Sequence, residues 1–351
     1  MGQFRDARPM APALPPARVN DGVDKPLCGG CGAKVGAQAL QGALPQAPVR
    51  ADIIAATGDD AALLRVGGVT QVLATDHLRA LVDDPYVMGQ IAATHALGDI
   101  WAMGATPQAA LINLTLPRMN ATLQARTLSE VMAGLSHILT PHGAAIIGGH
   151  TTMGAEMQIG VTLTGTLCGP ALRKSGARPG DALILTKALG TGVIMAAEMV
   201  WAAPGDVVAG AIAQMIQPQA QAARLLAPQA RAMTDVTGFG LAGHLAEMLA
   251  QDRLGAVLHL DDLPILPGAE ALVETGHASS LEPDNRAALS GRVTMPNTAR
   301  SSLLFDPQTG GGLLAAIPPD CALDVLAAIR AAGYAAAIIG HVTDNVTISA
   351  M

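Results

Sequence analysis

Two cysteines and a lysine share one short run near the start of the chain, Cys28-Gly29-Gly30-Cys31-Gly32-Ala33-Lys34. Its glycines free the backbone to fold tightly and to approach a ligand closely. Lys34, three residues beyond Cys31, would favour the thiolate, which is the reactive form of the sulfur. Cys28 and Cys31 could instead be half of a zinc site, but zinc takes about four protein ligands. The other two cysteines, Cys168 and Cys321, stand alone in apolar sequence.

A second set of residues suggests cation chemistry. Asp59, Asp60, Asp76, Asp99 and Asp235 come from separate segments, each beside glycine or other small residues. Brought together, such carboxylates repel one another and demand cations. Oxygen-only ligation points to Mg²⁺, which commonly joins carboxylates to substrate phosphates, and glycine-turn N–H groups could cradle the anion. Each aspartate could equally cap a helix or turn. Asp84 is best read that way, because Pro85 follows at the first helical position. Gly238 and Gly240 after Asp235 could mark only a tight turn. His95, His150 and His244 lack metal-spaced partners and read as hydrogen-bonded interior histidines. Neither a Walker A loop nor a dinucleotide fingerprint is present.

The elements that must position these residues follow from the pattern. Val69–Ala74 reads as a strand delivering Thr75-Asp76 at its end, and a helix runs from Pro85 to about Met103, stopped by Gly104. On that helix Ala92, His95 and Asp99 share a face. Ala109–Leu116 is a strand. Helical spacing from Leu128 to Leu139 ends at Pro141 and Gly143. Ala144–Ile147 reads as a short buried strand entering a Gly148-Gly149-His150-Thr151 loop, and Met157–Leu163 alternates as a strand. A Gly/Pro cluster at Cys168–Asp181 divides the chain. Beyond it come a strand at Ala182–Thr186, a turn at Gly190–Gly192, and a helix carrying His244 and Glu247. Asp306-Pro307-Gln308-Thr309-Gly310 again sets a carboxylate beside a glycine turn. The expected organisation is α+β in both halves: a disordered Pro-rich leader or linker at 1–27, a mobile glycine loop with a short helix over Val35–Leu44 at 28–48, and domains at 49–168 and 169–351.

At 351 residues and 50% hydrophobic, the chain can build two cores, but with only 2% aromatic residues they must consist of Ala, Val, Leu, Ile and Met. A net charge of −7 offers no basic face for nucleic acid. The most apolar runs, Gly192–Ala203 and Val325–Gly340, are too short for a membrane span and are broken by Glu198 and Arg330. The start shows no signal-peptide apolar region, and four unclustered cysteines make no disulfide scaffold. A cytoplasmic protein is expected.

Taken in order, the segments resemble the selenophosphate synthetases, or selenide, water dikinases. They are Gly30-Cys31-Gly32-Ala33-Lys34, Gly58-Asp59-Asp60-Ala61-Ala62, Thr75-Asp76, Asp83-Asp84-Pro85, Asp99-Ile100-Trp101-Ala102-Met103-Gly104, Gly148-Gly149-His150, Asp235-Val236-Thr237-Gly238-Phe239-Gly240 and Asp306-Pro307-Gln308-Thr309. The resemblance implies the aminoimidazole-ribonucleotide-synthetase-like fold, with two α/β domains and a homodimer paired through the first domains' sheets. It implies conversion of ATP, selenide and water to selenophosphate, AMP and orthophosphate. By the same resemblance Cys31 and Lys34 are catalytic, and Asp60, Asp99 and Asp235 bind magnesium. Lys34, Asp76, Asp99, Gly148, Gly149, His150 and Thr151 contact ATP, and a monovalent cation could assist.

The chain departs from the family pattern at Ala33, where many relatives carry a second cysteine. That weakens a dithiol mechanism, although Cys28 could serve as a resolving thiol. His77 replaces an aromatic residue, and Gly310 stands where serine is common. The Cys-Gly-Gly-Cys-Gly-Ala-Lys form resembles the version fused behind a flavin-dependent oxidoreductase, which implies an oxidoreductase or selenium-delivery partner. The competing expectations are another ATP-using enzyme of the superfamily, or a nucleotide- or selenium-binding partner without turnover.

Overall fold

The computed structural model describes residues 27–36, 43, 50–55 and 58–351. The expected leader (apart from Leu27) and most of the helix expected over Val35–Leu44 lie outside the described residues.

The first half is a six-stranded sheet of β1 (Ile53–Ala55), β2 (Ala62–Val66), β3 (Val69–Arg79), β4 (Thr106–Pro117), β5 (Ala145–Gly154) and β6 (Gln158–Thr166), in the order β1-β2-β3-β6-β4-β5. Its neighbours are antiparallel except the β4–β5 pair. Alternation makes the sheet two-faced. Val72, Ala74, Leu78, Ile159, Val161, Leu163, Ile112, Leu114 and Leu116 are buried, on the side where helix α1 (Pro85–Ala102) packs against β3, β4 and β6. Thr75, His77, Leu111 and Asn113 lie exposed on the other.

Asp84 caps α1 as expected, its carboxylate accepting from the N–H groups of Tyr86 and Val87, and Gly104 (φ +68°) turns the chain away. Nearly the whole of α1 is buried, because α2 (Ala121–Leu139) covers it on one side and the second half on the other. α1 and α2 approach so closely that a methyl at Gly134 would overlap the Tyr86 carbonyl.

The second half is a seven-stranded sheet, β10-β13-β9-β12-β7-β11-β8, made of β7 (Ala182–Leu185), β8 (Ala232–Asp235), β9 (Gly255–Leu258), β10 (Val293–Thr294), β11 (Leu313–Ile317), β12 (Ala337–Thr343) and β13 (Ile348–Ala350). β8 ends at Asp235, and helix α3 (Gly240–Ala250) follows. One hydrophobic core runs through both halves, from Ile100 and Met103 at the end of α1 to Met233 on β8 and Leu313 on β11. This shared core fixes the end of α1 against β8, and with it Asp99 against Asp235.

Two expectations about strands change. β3 does not stop at Ala74; its pairing with β6 continues to Arg79↔Gln158, so Asp76 sits within the strand. The Gly148–Thr151 segment is no loop but the middle of β5, held extended by a parallel ladder running from Leu111↔Gly148 to Pro117↔Gly154. Glycine is needed there because a side chain at Gly149 would collide with the Ile112 carbonyl. β5 is an exposed edge strand, so His150 is exposed rather than interior. Cys168 is exposed rather than packed in apolar surroundings, whereas half-buried Cys321 does pack against the hydrophobic core. No described helix is long and apolar enough to cross a membrane.

Candidate active site

Cys31 sits in a single 3₁₀ turn, Gly30–Ala33, which the open φ of Gly30 (+56°) makes possible. The loop expected to be mobile is docked here on the second half of the chain. The Cys31 N–H donates to Thr309 Oγ1 (3.0 Å), the Cys28 N–H to Ser280 Oγ (3.2 Å), and Ser280 Oγ to the Gly32 carbonyl (3.1 Å). Cys28 is tied in by its sulfur, which accepts from the Ser280 N–H. No room is left for larger residues: a Cβ on Gly30 would lie 2.6 Å from Thr309 Oγ1, and one on Gly32 2.6 Å from Cys28 Cβ.

Facing the Cys31 sulfur is His95, buried on α1. Nε2 of His95 lies 3.4 Å from Cys31 Sγ and 3.7 Å from Asp76 Oδ1. Nδ1 accepts from the Gly310 N–H at 3.2 Å. Burial works against a charge on this imidazole and negative charge on Cys31 and Asp76 works for one, but the Gly310 N–H aimed at Nδ1 leaves that nitrogen as an acceptor. The spacing of Cys31 and Lys34 assigns that partnership to lysine. Instead Lys34 is directed elsewhere, its stem against Gly238 and its ammonium 4.7 Å from the centroid of the Phe239 ring. The backbone N–H of Lys34 donates to the Cys31 carbonyl at 3.1 Å, but no described side-chain hydrogen bond joins its ammonium to the Cys31 sulfur.

Asp60, Asp99 and Asp235 converge. One ligand atom from each lies within 4.8 Å of the others. Asp60 comes from the turn before β2, Asp99 from the last turn of α1, and Asp235 from the end of β8. The α1–β8 approach needs Gly98, where a methyl would overlap Asp235 Oδ2. Burial, and then the neighbouring carboxylates, hold Asp99 well above the usual carboxylate range and push Asp235 up to about 7. Oδ2 of Asp60 is buried without a hydrogen-bond partner among the described residues, a state that costs free energy unless something fills it. The oxygen-only donor set and this orphaned oxygen fit a hard divalent cation such as Mg²⁺.

Lys174 and Glu247 went unrecognised in the sequence as parts of this cluster. Lys174 Nζ lies 3.0 Å from Asp60 Oδ1 and 2.9 Å from Glu247 Oε2, and Thr234 Oγ1 donates to the same Asp60 oxygen at 2.9 Å. Asp59 turns away from the cluster, accepting from the Lys174 N–H at 3.2 Å. His244 is interior as expected, with Nε2 3.2 Å from Thr237 Oγ1, and burial pushes it well below the ordinary histidine range. Asp306 is a structural tie: its carboxylate accepts from the Gly192 N–H (3.0 Å) and from Gln308 (2.9 Å).

Within one chain the Gly148–Thr151 segment does not join this cluster. Asp76 faces Val161, Val161 faces Ile112, and Ile112 faces Gly149 across successive strands. Three strand spacings separate Asp76 from Gly149, roughly 14 Å.

Two family descriptions match the sequence: AIR synthase related protein, N-terminal domain, over residues 58–169, and its C-terminal domain over 178–350. Selenide, water dikinase of Geobacter metallireducens is 41% identical over 294 residues, covering 82% of this chain and 84% of its own. Selenide, water dikinase of Myxococcus xanthus is 36% identical over 327 residues, covering 90% and 92%. Among solved structures, thiamine-monophosphate kinase from Stenotrophomonas maltophilia superposes with a TM-score of 0.65 at 23% identity, over 86% of this chain and 92% of its own. Hydrogenase maturation protein HypE from E. coli gives 0.62 at 20% identity, over 80% and 81%. At these identities the solved structures speak for the fold alone.

Proposed function

The chain belongs to the selenide, water dikinases, and from that membership we infer that it makes selenophosphate from ATP, selenide and water, releasing AMP and orthophosphate. The observation that carries the mechanism is the convergence of Asp60, Asp99 and Asp235 within 4.8 Å, beside a segment bearing a buried cysteine.

Asp60, Asp99 and Asp235 would hold Mg²⁺, which when bound neutralises polyphosphate oxygens and orients them for displacement. The chain's own residues supply the rest. Lys34, close enough to lower the cost of charge on Asp99, is the cation available to the transferring phosphoryl group. Cys31 guides or holds selenium for transfer to that phosphoryl group. Asp76, half-buried on β3, orients His95. Thr309 and Gly310 hold the Cys31 loop and His95 in register from the second half of the chain.

The open face and exposed edge of the first sheet suit a homodimer paired through these sheets, with Leu111 43%, Ile147 68% and Met153 62% exposed. Such pairing is the arrangement in which Gly148–Thr151 could approach the nucleotide of a second copy. An oxidoreductase or another selenium-delivery protein would supply reduced selenium to Cys31.

AMP release measured with and without selenide tests this reading. Release that requires both selenide and Mg²⁺, and that is lost in Cys31→Ala, supports it. ATP turnover indifferent to selenide and to Cys31 would favour a different ATP-using enzyme on the same fold. Tight Mg-ATP binding without products would favour a binding role.

A further inference from the structure

We propose that His95 is the positioning residue of the Cys31 sulfur: its Nε2–H donates to Sγ and stabilises negative charge there, while the Gly310 N–H decides which ring nitrogen carries the hydrogen. The proposal rests on the reading of Cys31 as the working sulfur.

The tautomer follows from the partners. Gly310 N–H can only donate, so the Nδ1 it reaches at 3.2 Å must be the unprotonated nitrogen. In the neutral ring the hydrogen is then on Nε2, which faces Cys31 Sγ at 3.4 Å and Asp76 Oδ1 at 3.7 Å. The sulfur is the nearer acceptor. A ring donating from Nε2 cannot take the thiol's proton at that atom, so His95 acts as a hydrogen-bond donor to sulfur and not as its base.

Electrostatics make such a donor necessary. From β3 Asp76 faces the imidazole, and Asp235 at the end of β8 contributes negative charge to it as well. Two carboxylates would repel an anionic sulfur, or an anionic selenium species carried on it, unless a donor lies between them. Lys34 does not fill that place, because its ammonium lies over the Phe239 ring. His95 is 4% exposed and Cys31 likewise 4%, so the bond is shielded from water and correspondingly strong.

The assembly is also rigid. The turn that donates to His95 accepts from the Cys31 backbone through Thr309 Oγ1, and the Gly310 carbonyl accepts from buried Lys187 Nζ at 2.7 Å. Sulfur, imidazole and turn therefore keep one geometry. A side chain that merely filled this space would need none of these contacts.

The test is the ultraviolet absorbance of the thiolate at neutral pH, taken as the difference between the wild type and Cys31→Ser, repeated in His95→Gln and His95→Leu backgrounds. Glutamine can place an amide N–H near the Nε2 position and should keep part of the Cys31 signal; leucine fills similar space without a donor and should lose it. Protection of Cys28 from alkylation, on the same docked loop, reports whether that loop stays closed. An undiminished signal in the leucine background, or no signal in the wild type, overturns the proposal. Should His95→Leu fail to fold, imidazole nitrogen NMR of the wild type and Cys31→Ala serves instead. The Nε2–H tautomer with a shift on removing the sulfur is expected; the Nδ1–H tautomer, or no shift, would contradict the assignment. Neither readout uses selenide or ATP, so a failure of selenophosphate synthesis remains a separate result.

Discussion

The ammonium of Lys174 lies 3.0 Å from Oδ1 of Asp60, while Oδ2 of the same carboxylate is buried and unpartnered among the described residues. One oxygen is thus fixed by the protein and the other is left for a ligand. Lys174 is a cation built into the fold: burial opposes its charge, but Asp60 and Glu247 prevail and hold it well above the ordinary lysine range.

Lys174→Met removes the counter-charge of a buried carboxylate, a loss of about 3 kcal/mol or more. Urea denaturation in EDTA should show that loss, and added Mg²⁺ should recover part of it by supplying Asp60 with another cation. Equal losses with and without Mg²⁺ would mean that Asp60 does not face a metal position.

Gly98→Ala would ordinarily stabilise a helix by about 1 kcal/mol. Here the added methyl meets Asp235 Oδ2 and must push that carboxylate off its position. Calorimetric titration should show Mg²⁺ affinity reduced by about tenfold. Higher stability with unchanged affinity would show that Asp235 is dispensable to the cluster.

Lys187 is 1% exposed, and burial pushes it down to about 7. Below about pH 7 the folded and unfolded states both carry the proton, so the folded state bears the full cost of a buried ammonium. From there to about pH 10 the unfolded chain still binds a proton that the folded protein has released, so stability rises by about 1.4 kcal/mol per pH unit. Lys187→Met lacks this slope. Denaturation at neutral and alkaline pH should therefore show wild type gaining on the variant as pH rises, and parallel curves would contradict a neutral buried lysine.

The aspartates of the cluster were legible because each lies among small residues at a junction between elements, where a carboxylate has few packing reasons to be. α1 was legible from its ends, Asp84-Pro85 and Gly104. The role of His95 was not, since helical spacing gives its face but not the Gly310 turn, 215 residues away in sequence. Lys174 lay within the Gly/Pro junction at Cys168–Asp181, and its partners come from two other segments, Asp59-Asp60 and Glu247. Gly148–Thr151 misled because clustered glycines resemble a turn; a neighbouring strand, invisible to local pattern, holds them extended. Cys31 and Lys34 were found by spacing, but tertiary packing sends the lysine to Phe239 and gives the sulfur to histidine.

Phosphorus-31 NMR of the protein with Mg-ATP and selenide tests the central claim most directly. A selenium-bonded phosphorus signal should appear together with AMP and orthophosphate in the wild type, and should be absent in Cys31→Ala. Consumption of ATP without that signal would contradict the account.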